Sequence, residues 1–208
     1  MYKGPSRYCD EFIQRLSSSA PTPGGGAAAA MCGALAASLG SMAGNIRFDK
    51  LKTPEERAIF LNIMMPCGQL HLRYRMLMDD DEQAYRALRD CYGIPKSDPS
   101  RDERIYIASL AAARPPMRML RSALEVVEAL EKLLPHISKL LISDIACGAS
   151  LAAATMETAA LNVFVNTAAY QHRPDARLMQ QEAERLLAEG LPRARELYER
   201  LLREVKGE

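Results

Sequence analysis

The chain predicts an all-α fold, an antiparallel bundle of about seven or eight helices around a small-residue central helix. Three observations predict it. Apolar residues recur at helical spacing along most of the length, and no useful stretch alternates with the period of a strand. The third is an uncharged run of small residues from Ala27 to Gly44, strongly helix-forming and apolar on every side. A helix of that kind is expected to be buried, with the others packed against it. The turn Pro21-Thr22-Pro23-Gly24-Gly25-Gly26 leads into it. Its prolines fix φ and hold the approach extended, and its glycines let the backbone turn tightly and come close to a neighbour or ligand. The first amides of the helix are then placed to receive an anion or a ligand carbonyl.

The other elements follow in order. Residues 7–18 form a short amphipathic helix with Tyr8, Phe12, Ile13 and Leu16 on one face. Residues 47–52 are a polar connector with three basic residues. Thr53-Pro54-Glu55-Glu56 is a helix start, with Thr as cap, Pro at the first position and acids in the first turn. That helix runs to about Tyr92, with a kink or break expected near Met65, before Pro66. Ser97 to Arg101 begins another, expected to stop before Pro115-Pro116, where a further helix starts and runs to about Leu134. Ile142 to Thr167 is a helix rich in small residues, and Asp175 to Val205 a last amphipathic one interrupted at Gly190 and Pro192. The small faces at 27–44 and 146–160 favour close helix approach, within the subunit or against a twin, and a homodimer is expected.

A chain of 208 residues with net charge +1 fits one domain, 1–208, and has no electrostatic reason to bind nucleic acid. With no Trp and few aromatics it lacks base-stacking platforms. The Ala27–Gly44 run is long enough for a membrane span, but Ala, Gly, Ser and Met gain little from lipid, so no membrane is expected. Charges stand in the N-terminal segment where a signal peptide is apolar, so a cytoplasmic location is expected. Cys9, Cys32, Cys67, Cys91 and Cys147 are widely spaced and show no zinc-ligand pattern; they read as reduced core residues, and no metal is expected. The triplet Gly24-Gly25-Gly26 lacks the spacing and preceding strand of a dinucleotide loop.

A few polar residues stand in apolar settings. Asp81 has Leu77, Met78, Ala84 and Tyr85 at helical spacing, so it lies inside its helix's apolar stripe. Asp79 lies with Arg75, Glu82, Gln83 and Arg86 on a solvated side. Asp144 has Leu140, Leu141, Cys147, Gly148 and Leu151 around it, and alternatively caps the helix that follows. A carboxylate on such a face must be paired or shift its pKa upward. Asn162 and Asn166, one turn apart, need hydrogen-bond partners if buried. His71, His136 and His172 share no local spacing.

These residues resemble the cyclodeaminase/cyclohydrolase family of folate enzymes. The match runs from Ser17-Ser18-Ser19-Ala20-Pro21-Thr22-Pro23-Gly24-Gly25-Gly26 through Asp79-x-Asp81-x-x-Ala84-Tyr85, Ile94-Pro95-Lys96, Pro115-Pro116 and Ser143-Asp144 to Asn162-Val163-x-x-Asn166. The resemblance implies an all-helical dimer that binds a tetrahydrofolate derivative in a cleft and uses no metal or nucleotide cofactor. It implies Asp81 as the catalytic aspartate, with Asp144 in support, and a cleft lined by residues 21–26. Asn162 and Asn166 are implied as binding residues, and Arg47 and Lys50 as contacts for the substrate's glutamate tail. In segment 45–52 the basic residues are spread out and Asp49 stands among them, where the family usually has adjacent basic residues followed by an aromatic. The implied activity is methenyltetrahydrofolate cyclohydrolase. The alternatives are formiminotetrahydrofolate cyclodeaminase and a non-catalytic folate-binding or interaction module.

Overall fold

The computed structural model describes the backbone from Ser6 to Glu208 and side chains from Cys9 onward. Among these residues there are six α-helices and no strand: α1 (Ser6–Leu16), α2 (Gly25–Phe48), α3 (Pro54–Tyr92), α4 (Arg101–Leu133), α5 (Ile142–Thr167) and α6 (Pro174–Lys206). The helix count is lower than expected because prolines do not break helices here. Pro66, Pro115, Pro116 and Pro192 all lie inside continuous helices. Each removes one ladder donor, and packing on either side holds the helix through the gap; Pro115 and Pro116 are themselves buried.

The central helix is α4, not α2. Helix α4 packs on α2, α3, α5 and α6, and it contributes the fully buried Met119, Leu120, Val126, Val127, Leu130 and Leu133. Small side chains let α2 come close to its neighbours but leave little apolar area to bury, so the larger residues of α4 take the middle. One face of α2 faces α3, α4 and α5, while the other stays open, with Leu35 49% exposed and Met42 and Ile46 also exposed. Helix α2 and the segment 139–170 have the length and hydropathy of membrane spans, yet half of each span window is buried inside the bundle.

The α2–α3 seam sets the register of the molecule. A Cβ on Gly26 would meet the Asp81 carboxylate, one on Gly33 the Tyr74 ring, and one on Gly40 the Cys67 sulfur. The partners descend by seven on α3 as the glycines ascend by seven on α2, so the two helices run antiparallel in one fixed register. The Tyr74 hydroxyl locks the seam from behind by donating to the Met119 carbonyl of α4 at 2.9 Å.

At the start of α3 the expected cap is present. Thr53 Oγ1 accepts from the Glu56 amide at 3.1 Å, and Glu56 accepts from the Thr53 amide at 3.2 Å. Helix α1 forms as expected, but its apolar face is not covered: Ile13 is 57% exposed and Leu16 is exposed too. Tyr8, assigned to that face, lies outside the described side chains. All five cysteines are free, and only Cys67 is a buried one; Cys9 and Cys147 are exposed rather than core residues.

Candidate active site

The seam ends at a cleft of about 370 Å³ between the turn before α2, the middle of α3 and the last turns of α5. Pro21, Thr22, Pro23, Gly24, Gly25 and Gly26 line one side, and Asn162 and Asn166 line another. Asp81 and Glu82 close it from α3, with Tyr85, Leu88 and Tyr92 extending an apolar wall. The Thr22–Pro23 peptide bond is cis and Thr22 is buried.

Asp81 is placed by the absence of a side chain opposite. A Cβ on Gly26 would stand 2.3 Å from its Oδ2, a distance no methyl group tolerates. Burial alone pushes the Asp81 carboxyl up to about 6, since no hydrogen bond or neighbouring charge holds the proton off. Its sequence neighbour behaves oppositely. Glu82 accepts from the Thr22 hydroxyl at 3.0 Å and pairs with Arg86 and Arg15. The Thr22 hydroxyl and these guanidiniums hold Glu82 below the ordinary carboxylate range. Two carboxylates in one cleft are thus tuned apart, the arrangement that separates a group able to move a proton from one that stays charged.

The remaining walls supply donors and acceptors. Helix α2 starts at Gly25 with Gly24 as its cap residue and no side-chain cap, so its first amides and positive dipole end are open to a ligand. The Asn162 amide donates to the Thr158 carbonyl at 2.8 Å, and that of Asn166 to the Asn162 carbonyl at 2.8 Å. Both asparagines therefore bond within α5, not between helices, which leaves their side-chain oxygens as acceptors.

Three of the sequence-predicted site residues do not reach this cleft within one chain. Arg47 and Lys50 stand at the other end of α2, some twenty residues or about 30 Å from Gly26. Asp144 lies in the first turn of α5, about 27 Å along that helix from Asn162, where a carboxylate complements the helix dipole. Helix spacing places a residue on a face but says nothing of which end of the bundle it occupies. Sequence reasoning also missed Glu82, assigned to a solvated face. The signal for it was Thr22, a hydroxyl in a rigid turn with no local partner.

Residues 8–185 match the formiminotransferase-cyclodeaminase family. The chain belongs to that family. It is 34% identical to the methenyltetrahydrofolate cyclohydrolase of Methylorubrum extorquens, over 95% of each chain. It is 26% identical to the formimidoyltransferase-cyclodeaminase of Gallus gallus, over 74% of this chain and 29% of that longer protein. Its fold superposes on formiminotetrahydrofolate cyclodeaminase from Thermotoga maritima with a TM-score of 0.79 and 26% identity, covering 95% of each chain. The formiminotransferase-cyclodeaminase family therefore accounts for nearly the whole chain in one collinear stretch.

Proposed function

We propose that this protein is a methenyltetrahydrofolate cyclohydrolase that hydrates the methenyl bridge and opens the ring to 10-formyltetrahydrofolate, with no metal or nucleotide cofactor. The observation that carries the reading is the half-buried Asp81 carboxylate packed on Gly26 at the mouth of the cleft. Water must lose a proton as it attacks the bridging carbon, and the departing ring nitrogen must gain one. A carboxyl with a pKa of about 6 can take the first proton and return it to the nitrogen. General acid–base help of this kind is typically worth about 10²–10⁴-fold. Glu82, held ionised, keeps Thr22 and the turn in place. The open amides of α2 and the oxygens of Asn162 and Asn166 would bind the polar edges of the pterin.

The same cleft suits the cyclodeaminase reaction, where Asp81 would assist ring closure and protonate leaving ammonia. The similarity to the Thermotoga maritima enzyme favours that second reading. The near full-length similarity to a cyclohydrolase favours the first. Loss of methenyltetrahydrofolate absorbance above the spontaneous rate establishes catalysis. No such loss, together with ammonia release from formiminotetrahydrofolate, replaces the first reading with the second, and inactivity in both assays leaves a folate-binding module.

The active form is, on this reading, a cytoplasmic homodimer. The open face of α2 carries an apolar stripe through Leu35, Met42 and Ile46. A two-fold axis near the middle of α2 would cover it and run the two α2 helices antiparallel. Arg47 and Lys50 of the partner subunit would then stand near the cleft, whose described lining includes no Lys or Arg.

A further inference from the structure

Glu82 lines the cleft beside Asp81 but takes no part in the proton transfer described above. Among the described residues, its hydrogen bonds and ion pairs all end on one of its two oxygens. Oε1 accepts from the Thr22 hydroxyl at 3.0 Å, pairs with the Arg86 guanidinium and faces that of Arg15 at 3.8 Å. These contacts, that with Thr22 first, hold the group charged, whereas burial pushes Asp81 the other way. A tie between the turn and α3 needs only one oxygen. A carboxylate has about four lone-pair sites, so Oε2 is left as an ionised acceptor at the cleft wall.

The rest of the cleft selects the kind of donor. Tyr85 and Val165 line it with exposed apolar surface, which suits a flat ring. The open amides of α2 are donors, so a ring edge facing them must present an acceptor. An ionised carboxylate only accepts, so the edge facing Glu82 must present N–H. A pterin carries both on its pyrimidine ring, a 4-oxo acceptor and a 2-amino donor. That amino group stands across the fused rings from the nitrogen of the reacting bridge. Adjacent residues of a helix point about 100° apart, so Asp81 and Glu82 are free to meet opposite ends of one ring system. Asp81 spends part of its cycle protonated, when one of its oxygens is a donor, which leaves fixed acceptance to Glu82.

We propose that Glu82 selects the substrate: its Oε2 accepts from the 2-amino group of the pterin, while Thr22 and Arg86 hold the carboxylate in place through Oε1. The role rests on the folate reading above and adds a residue that distinguishes a 2-aminopterin from other flat heterocycles.

The test compares 5-formyltetrahydrofolate with its 2-desamino-2-methyl counterpart by titration calorimetry on the full chain. The parent protein should bind the amino compound about tenfold or more tightly than the methyl one. In Glu82→Gln the side-chain oxygen keeps the place of Oε1, and the amide nitrogen then sets donor against donor, so the preference should vanish. Thr22→Val removes the hydroxyl from Oε1 but leaves the carboxylate. It should weaken both compounds alike and keep the preference, which separates recognition from a merely structural tie. A parent protein that opens methenyltetrahydrofolate but binds the two compounds equally overturns this role alone, whether or not the variants fold. So does E82Q with parental circular dichroism and an undiminished preference. A parent protein that catalyses neither reaction yet prefers the amino compound loses the catalytic reading and keeps this one. Binding of neither compound overturns both.

Discussion

Asp81 combines an ordinary side chain with an unusual place. Its folded carboxyl holds its proton more tightly than the unfolded chain does, with a pKa near 6 against an ordinary 3.8. Its contribution to stability is therefore full below about pH 3.8 and is lost as pH rises through about 6. Allowing for partial exposure, the penalty at neutral pH is on the order of 1–2 kcal/mol. Asp81→Asn should thus abolish turnover while raising the thermal midpoint at pH 7.5 by a few degrees, and should remove that part of the pH dependence. Scanning calorimetry at pH 4 and 7.5 checks this; an active D81N would remove Asp81 from the mechanism. In the parent enzyme kcat/KM should rise with pH through about 6 if Asp81 acts as base. Gly26→Ala probes the same contact from the other side. Its methyl group would displace the carboxylate, and we expect a loss of about 100-fold or more in kcat/KM with helical content retained, measured by steady-state kinetics and circular dichroism.

Among the elements, the α2–α3 seam transmits register over its whole length. Gly33→Ala would drive a methyl group to within 2.3 Å of the Tyr74 ring, and overpacking of this kind costs about 1–3 kcal/mol. Because Gly26 and Asp81 lie two helical turns further along the same seam, G33A should lower activity as well as the unfolding midpoint. The cap of α3 is a contrasting case. Thr53→Ala removes a capping box far from the cleft, should cost about 1 kcal/mol in denaturant unfolding, and should leave kcat and KM unchanged. The heptad of glycines at 26, 33 and 40, mirrored by Cys67, Tyr74 and Asp81, stands in the sequence itself. Their pairing, and with it the antiparallel register that sets Asp81 opposite the glycine turn, is seen only in the folded seam.

For the molecule as a whole, α1 and α2 each leave apolar residues open, Ile13 on one and Leu35 on the other. Leu35→Glu on the outer stripe of α2 should convert a dimer to a monomer in sedimentation velocity. Activity should fall with dissociation if the partner's cations complete the cleft. A monomeric parent protein with full activity would remove the dimer from the reading.

The amino-acid order alone determined the helical class, the α3 cap, the glycine turn and the odd position of Asp81, because each depends on spacing within a few helical turns. The prolines misled at the same range: a missing donor predicts a break, and only burial against other helices shows that the ladder continues. Which helix is central, which end of the bundle each polar residue occupies, and the pairing of Thr22 with Glu82 were decided by tertiary structure. These depend on how long helices slide and stack against one another. Asn162 lines the cleft while Asp144, on the same helix, does not, and only the packing shows which end of α5 meets the glycine turn.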